Sequence, residues 1–113
     1  MPFKQGNRPT INVPKQSRSR FREDLLATGY KPHTGPRTTR DGEIQAWVKP
    51  IGRGRQVHVQ EELLDDGSID VFSHTEPEGH GLDHLLAAVL DEASYSGGAK
   101  VLRGDLRRRG RDV

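Results

Sequence analysis

Apolar and polar residues alternate along the middle of the chain, and this alternation predicts three β-strands. The inward positions are Ile44, Ala46 and Val48 in the first segment, Val57, Val59 and Leu63 in the second, and Ile69 and Val71 in the third. The segments IGRG and DDG lie between them and are typical of turns. A period of two residues places these apolar side chains on one face of an antiparallel β-meander.

The length of the second turn decides the register between two of these strands. A three-residue loop, Asp65-Asp66-Gly67, pairs Leu63 with Ile69 and keeps the apolar positions together, with Gly67 in the left-handed conformation. A two-residue loop would divide the apolar residues between the faces, so we favour the longer loop. The opposite face then carries larger side chains, which are Trp47, His58, Leu64 and Phe72.

A helical period replaces the alternation after the third strand. Apolar residues recur at i, i+3, i+4, i+7, i+8 and i+11, at Leu82, Leu85, Leu86, Val89, Leu90 and Ala93. This stripe predicts a helix near residues 82–94 that packs on the sheet. The segment SYSGG is expected to end it, and a second, short basic helix is expected to follow and to stop at Gly110.

Residues 1–42 differ from this pattern and predict a disordered basic N-terminal arm. Five of the seven prolines lie there, and one short helical motif, near residues 19–28, interrupts it. Residues 43–110 are expected to form a small α+β domain and residues 111–113 a tail. The predicted fold is therefore a three-stranded antiparallel β-meander packed on one C-terminal helix, followed by the basic helix.

The charge layout divides the chain in the same way. Residues 1–42 hold nine Lys and Arg against three Asp and Glu (+6), residues 43–98 three against eleven (−8), and residues 99–113 six against two (+4). No cysteine is present, which excludes disulfides and thiolate zinc ligands. No apolar run has the length of a membrane span, so we expect no membrane partner and a cytoplasmic location.

Arginine-rich ends of this kind favour a polyanionic partner, RNA or DNA, bound in an accessory rather than a catalytic role. Flexible basic segments release counterions from phosphates and become ordered only on binding. The candidate residues are Arg18, Arg20 and Arg22 of the arm and Lys100, Arg103, Arg107, Arg108 and Arg109 of the last helix. No cofactor is expected, and the oligomeric state stays open.

A protein–protein adaptor is the alternative function that the sequence leaves open. The segment FREDLL would dock on a partner through Phe21, Leu25 and Leu26, and the second face of the sheet would add Trp47 and Phe72.

A metal-dependent enzyme is a further alternative, because His74, His80 and His84 lie in one acidic segment. Imidazole and carboxylate side chains are zinc ligands. Thr75 and Glu78, however, match a capping box at a helix start. We favour this structural interpretation and predict no metal site.

Overall fold

The computed structural model describes residues 10–33, 37–39, 42–78 and 92–113 and has an α+β fold. The strands are β1 (Ile11–Val13), β2 (Lys31–Pro32), β3 (Arg37–Thr39), β4 (Gly42–Ile44), β5 (Ala46–Gly52), β6 (Arg55–Leu63) and β7 (Ile69–Pro77). The helices are α1 (Arg18–Ala27), which follows a 3₁₀ turn at Lys15–Ser17, and α2 (Glu92–Arg108).

An antiparallel sheet of five strands, in the order β1-β7-β6-β5-β2, forms the centre of the fold. A separate hairpin pairs β3 with β4. The three predicted strands correspond to β5, β6 and β7. The sheet has two more strands than predicted, β1 and β2, one at each edge. Both edge strands come from the segment that was expected to be a disordered arm. Their two or three residues are too few to show an alternation.

The turn between β6 and β7 has the predicted register. Leu63 pairs with Ile69, and Gly67 has a φ of 85°. The amide of Leu64 donates to the carbonyl oxygen of Ser68 over 2.9 Å, which leaves three residues in the loop. The predicted three-residue loop is confirmed.

Trp47 lies on the face opposite to the predicted one. It pairs with Val59, and residues paired across an antiparallel ladder project to the same side. Gln45 lies between β4 and β5 and interrupts the alternation that the prediction continued from Ile44. Trp47 is only 3% exposed, and its indole Nε1–H donates to Glu61 Oε2 over 3.0 Å. That hydrogen bond offsets the cost of burying the indole N–H.

The helical motif predicted near residues 19–28 is present as α1. Gly29, with a φ of 98°, ends it, and the amide of Tyr30 donates to the carbonyl oxygen of Leu25 over 3.0 Å. This is the Schellman arrangement that glycine favours. Phe21 and Leu25 are fully buried, so α1 is part of the fold.

The prediction that SYSGG ends a helix is wrong, because α2 continues through it. A Cβ on Gly98 would lie 2.6 Å from Cα of His74, so this position needs glycine for close packing on β7 and not for a helix stop. Leu102 and Leu106 of α2 are buried in the core. The predicted basic helix therefore packs on the sheet as part of α2, and most of the helix predicted at 82–94 falls outside the described residues.

The core fills the space between one face of the sheet and the two helices. It contains Val13, Phe21, Leu25, Tyr30, Trp47, Val57, Val59, Ile69, Val71, Leu102 and Leu106. Among the described helices, none has the length and apolar composition to cross a membrane.

Candidate functional site

Three predicted binding residues lie on one face of α2, which we call the α2 basic stripe: Lys100, Arg103 and Arg107. Their spacing of i, i+3 and i+7 places them on the same side of a helix. Leu102 and Leu106 occupy the buried side. Lys100 and Arg107 are exposed and Arg103 is half-buried.

The α2 basic stripe contacts main-chain oxygens. Arg103 Nη2 donates to the Thr10 oxygen over 3.3 Å, and Arg107 Nε donates to the Val113 oxygen over 2.7 Å. Within residues 10–33, 37–39, 42–78 and 92–113, no Asp or Glu forms an ion pair with the stripe. The contact with Val113 occupies one donor of Arg107, and the remaining donors of the stripe are not paired with an Asp or Glu in this part of the chain.

Most of the other predicted arginines contact buried carboxylates. Arg22 is 2.8 Å from Glu61 Oε1, Arg109 is 3.1 Å from Asp24 Oδ1, and Arg108 pairs with Asp105. Arg20 is 3.9 Å from Asp24 Oδ2, and Arg18 is half-buried at the first residue of α1. Of these three carboxylates, Glu61 lies in the acidic segment 43–98, whereas Asp24 and Asp105 lie in the basic end segments themselves. A buried carboxylate requires compensation, so these arginines are already engaged within the protein.

Asp24 is one of these carboxylates and lies in α1, in contact with residues that follow the C-terminal end of α2. Arg111 donates from Nε to its Oδ2 over 3.0 Å. The guanidinium of Arg111 also lies 5.4 Å from the centre of the Phe21 ring. The end of α2 is thereby fixed to α1.

Asp105 is fully buried and has neutral and charged partners. Tyr30 Oη and Lys49 Nζ each donate to its Oδ2 over 2.8 Å. Burial raises the pKa of Tyr30, although the charge of Arg108 partly opposes this. Burial, together with the charge of Arg108, lowers the pKa of Lys49. This network joins α2 to β5 and to the end of α1.

A histidine cluster (His58, His74 and Glu76) lies on the sheet face away from the core. His58 and His74 are directly opposite each other on β6 and β7, and Glu76 is two residues further along β7. His74 Nε2 is 2.5 Å and His58 Nδ1 is 3.6 Å from Glu76 Oε1. All three residues are at most 2% exposed.

The cluster holds Glu76 as an anion. Burial raises the pKa of Glu76, but the nearby imidazoles of His58 and His74 and the hydrogen bond from Gln56 together outweigh it and hold this pKa below its usual range. Gln56 Nε2 donates to Glu76 Oε2 over 2.6 Å. The arrangement can accept a proton or a cation.

The candidate metal ligands in the structure differ from those predicted. His74 is retained, whereas His80 and His84 lie outside the described residues. Thr75 belongs to β7 and not to a helix start, so the capping-box interpretation was wrong. His58 was missed as a partner, although the predicted register already placed it opposite His74, whereas Glu76 belongs to the acidic segment considered beside His74.

The residues predicted for an adaptor surface are mostly buried. Phe21 and Leu25 are 0%, Trp47 is 3% and Phe72 is 9% exposed, whereas Leu26 is 56% exposed. The first three belong to the core. A contact patch built from this set is therefore not available at the surface.

Comparison of the chain with protein-family models, with curated proteins and with solved structures gave no significant match.

Proposed function

We propose that this chain binds the phosphate backbone of nucleic acid through the α2 basic stripe, in an accessory and non-catalytic role. The observation that carries the proposal is the set of three basic side chains on one helix face, without an Asp or Glu partner in the described part of the chain. Among the eight predicted binding residues, Arg20, Arg22, Arg108 and Arg109 pair with an Asp or Glu of the described chain, and the three stripe residues do not.

The spacing of the stripe suits a phosphate backbone. A rise of 1.5 Å per residue separates Lys100 from Arg107 by roughly 10 Å along the helix axis. Phosphates follow one another about every 3.4 Å of axis on each strand of a duplex, so the stripe extends over about three of them. Both arginines can contact phosphate oxygens with two N–H groups at once.

Neighbouring arginines can enlarge this surface without losing their ion pairs. The side chains of Arg108 and Arg20 are 69% and 66% exposed, and that of Arg109 is 47% exposed. A guanidinium has five N–H donors, and its carboxylate partner uses only part of them. These residues are expected to add weaker contacts at the C-terminal end of α2.

The side chains of the stripe are suited to binding phosphates by charge and not to recognising a particular base sequence. Neither Lys nor Arg of this stripe lies beside an exposed aromatic side chain of α2 that could stack on a base. Contacts to phosphates position a protein on nucleic acid but carry no sequence information. We therefore expect similar affinities for duplexes of different sequence.

A charge-matched pair of variants tests the proposal. The stripe variant carries Lys100→Gln, Arg103→Gln and Arg107→Gln. The control carries Lys15→Gln, Lys31→Gln and Arg53→Gln at three exposed positions outside α2. Fluorescence anisotropy with a duplex DNA and with an RNA hairpin should show a roughly ten-fold or greater loss for the stripe variant only.

Equal losses in the two variants would mean that net charge, and not the stripe, drives binding. Absence of binding by the wild-type chain at low salt would reject the function itself.

A further inference from the structure

We propose that the histidine cluster is a binding site for one divalent first-row transition-metal ion, with Zn²⁺ as the expected ion. The ligands are His58, His74 and Glu76, each through one nitrogen or oxygen atom. This proposal is independent of the nucleic-acid function, because the cluster and the α2 basic stripe are different sets of residues.

The backbone brings the three ligands together on rigid elements. Cross-strand pairing joins His58 to His74, and the two-residue period of β7 places Glu76 on the same face as His74. β6 lies between β5 and β7, and β1 adds to β7 at Ile69–Val71. A site on strands is held more accurately than one on loops.

The distances fit a small metal ion after a local adjustment. The ligand atoms all lie within 4.8 Å of one another. Bonds of about 2.1 Å in tetrahedral geometry separate two ligand atoms by roughly 3.4 Å. The 3.6 Å between His58 Nδ1 and Glu76 Oε1 agrees with this value. The 2.5 Å contact of His74 with Glu76 must lengthen by about 1 Å as the ion replaces the hydrogen between them.

The donor types select the class of ion. Two imidazoles and one carboxylate suit zinc and related transition metals, whereas calcium and magnesium require sets dominated by oxygen. Three protein ligands also leave a coordination position for water or a substrate.

Gln56 supports the site as a positioning residue. It lies opposite Glu76 in the ladder and donates to Oε2, which leaves Oε1 directed toward the two imidazoles. Such outer hydrogen bonds orient the ligands of metal sites. The rings of His33 and Tyr95 flank the cluster, with centroids 5.3 Å from His58 and 5.9 Å from His74.

Titration of the chelator-treated full chain with Co²⁺ and Zn²⁺ tests the site. We expect one equivalent to bind by calorimetry, and bound Co²⁺ to show visible absorption typical of four- or five-coordinate geometry. Long-range ¹H–¹⁵N spectra of the imidazoles should show that the ring nitrogens of His58 and His74 shift on addition of Zn²⁺. Absence of binding, or shifts confined to the other histidines, would overturn the proposal.

Two matched variants add a test of the carboxylate. Glu76→Gln should weaken binding roughly ten-fold or more, because losing even an outer partner has an effect of that size. Glu62→Gln changes a carboxylate on the same face of β6, outside the cluster, and should bind like the wild type. Equal affinity in Glu76→Gln and the wild type would overturn the assignment. If Glu76→Gln does not fold, the wild-type titration and the imidazole spectra decide.

Discussion

Gly98 of α2 lies against the backbone of His74 in β7, so close that a Cβ on Gly98 would be 2.6 Å from both N and Cα of His74. This contact allows the helix to approach the strand that carries two residues of the histidine cluster. The sequence predicted that a helix ends in the segment that contains Gly98, but the role of this glycine is to permit close packing.

Replacing Gly98 with alanine should destabilise the protein. The added methyl group meets backbone and not a flexible side chain, so α2 and β7 must separate. Overpacking of this kind costs about 1–3 kcal/mol of unfolding free energy. Urea denaturation of Gly98→Ala measures the loss, and a stability equal to that of the wild type would contradict the close contact.

Gly104→Ala provides the matched control in the same helix. No heavy atom lies within 4 Å of a Cβ built at Gly104. Alanine restricts the unfolded chain and favours the helix, so the variant should be more stable by about 0.5–1 kcal/mol. Urea denaturation of both variants should give changes in unfolding free energy of opposite sign. That result would show that packing and not helix propensity determines the effect at Gly98.

Removing the hydroxyl of Tyr30 should weaken the junction between α1 and α2. Tyr30 Oη donates to Oδ2 of the fully buried Asp105 over 2.8 Å. A hydrogen bond to a charged group contributes about 1.5–3 kcal/mol. Thermal or urea unfolding of Tyr30→Phe should show a loss of this order, and an unchanged midpoint would exclude the bond as a stabilising contact.

The same tyrosine predicts a loss of stability at alkaline pH. Burial raises its pKa in the folded protein above the ordinary value of 10.0. The contribution of Tyr30 to the unfolding free energy is complete below pH 10.0. It is lost as the pH rises toward the folded-state pKa, because the unfolded chain then releases a proton that the folded chain keeps. The slope is at most about 1.4 kcal/mol per pH unit.

Tyr30→Phe isolates this contribution, since Lys49 is present in both chains. The unfolding free energy of the variant should decline less steeply above pH 10 than that of the wild type. If the unfolding free energies of the two chains declined equally with pH, the pKa of the Tyr30 phenol would not differ between the folded and unfolded states.

Two arginines near Asp24 should differ in their contribution to stability. Arg111 is 3.0 Å from the carboxylate and its side chain is 15% exposed, whereas Arg20 is 3.9 Å away and 66% exposed. Arg111→Gln should cost about 1–3 kcal/mol, and Arg20→Gln no more than about 0.5 kcal/mol. Chemical denaturation of both variants checks the difference; equal losses would argue against a specific role for Arg111.

The predicted loop between β6 and β7 fixes the register of the central strands and therefore which residues of the histidine cluster lie opposite each other. Pairing Leu63 with Ile69 also places His58 opposite His74 and Gln56 opposite Glu76. The pairing of the cluster residues could therefore be predicted from the sequence. The predicted metal candidates were instead His80 and His84, which are close to His74 along the chain.

Other features depend on tertiary contacts that no local pattern contains. β1 has only Ile11 and Val13 as apolar positions, and their pairing with Val71 and Ile69 becomes visible only in the sheet. The ion pairs of Arg22 and Arg109 join residues 39 and 85 positions apart, respectively. A count of charge by segment cannot distinguish such internal counterions from a free basic surface.

The most direct test of the proposed function is the salt dependence of duplex DNA binding by the wild-type chain and the stripe variant. Each phosphate contact contributes about 0.9 to the slope of log Kobs against log salt concentration, so loss of three contacts should make the slope shallower by about 2.7. The variant in which Lys15, Lys31 and Arg53 are replaced should keep the wild-type slope. Equal slopes for the wild-type chain and the stripe variant would contradict phosphate binding by Lys100, Arg103 and Arg107.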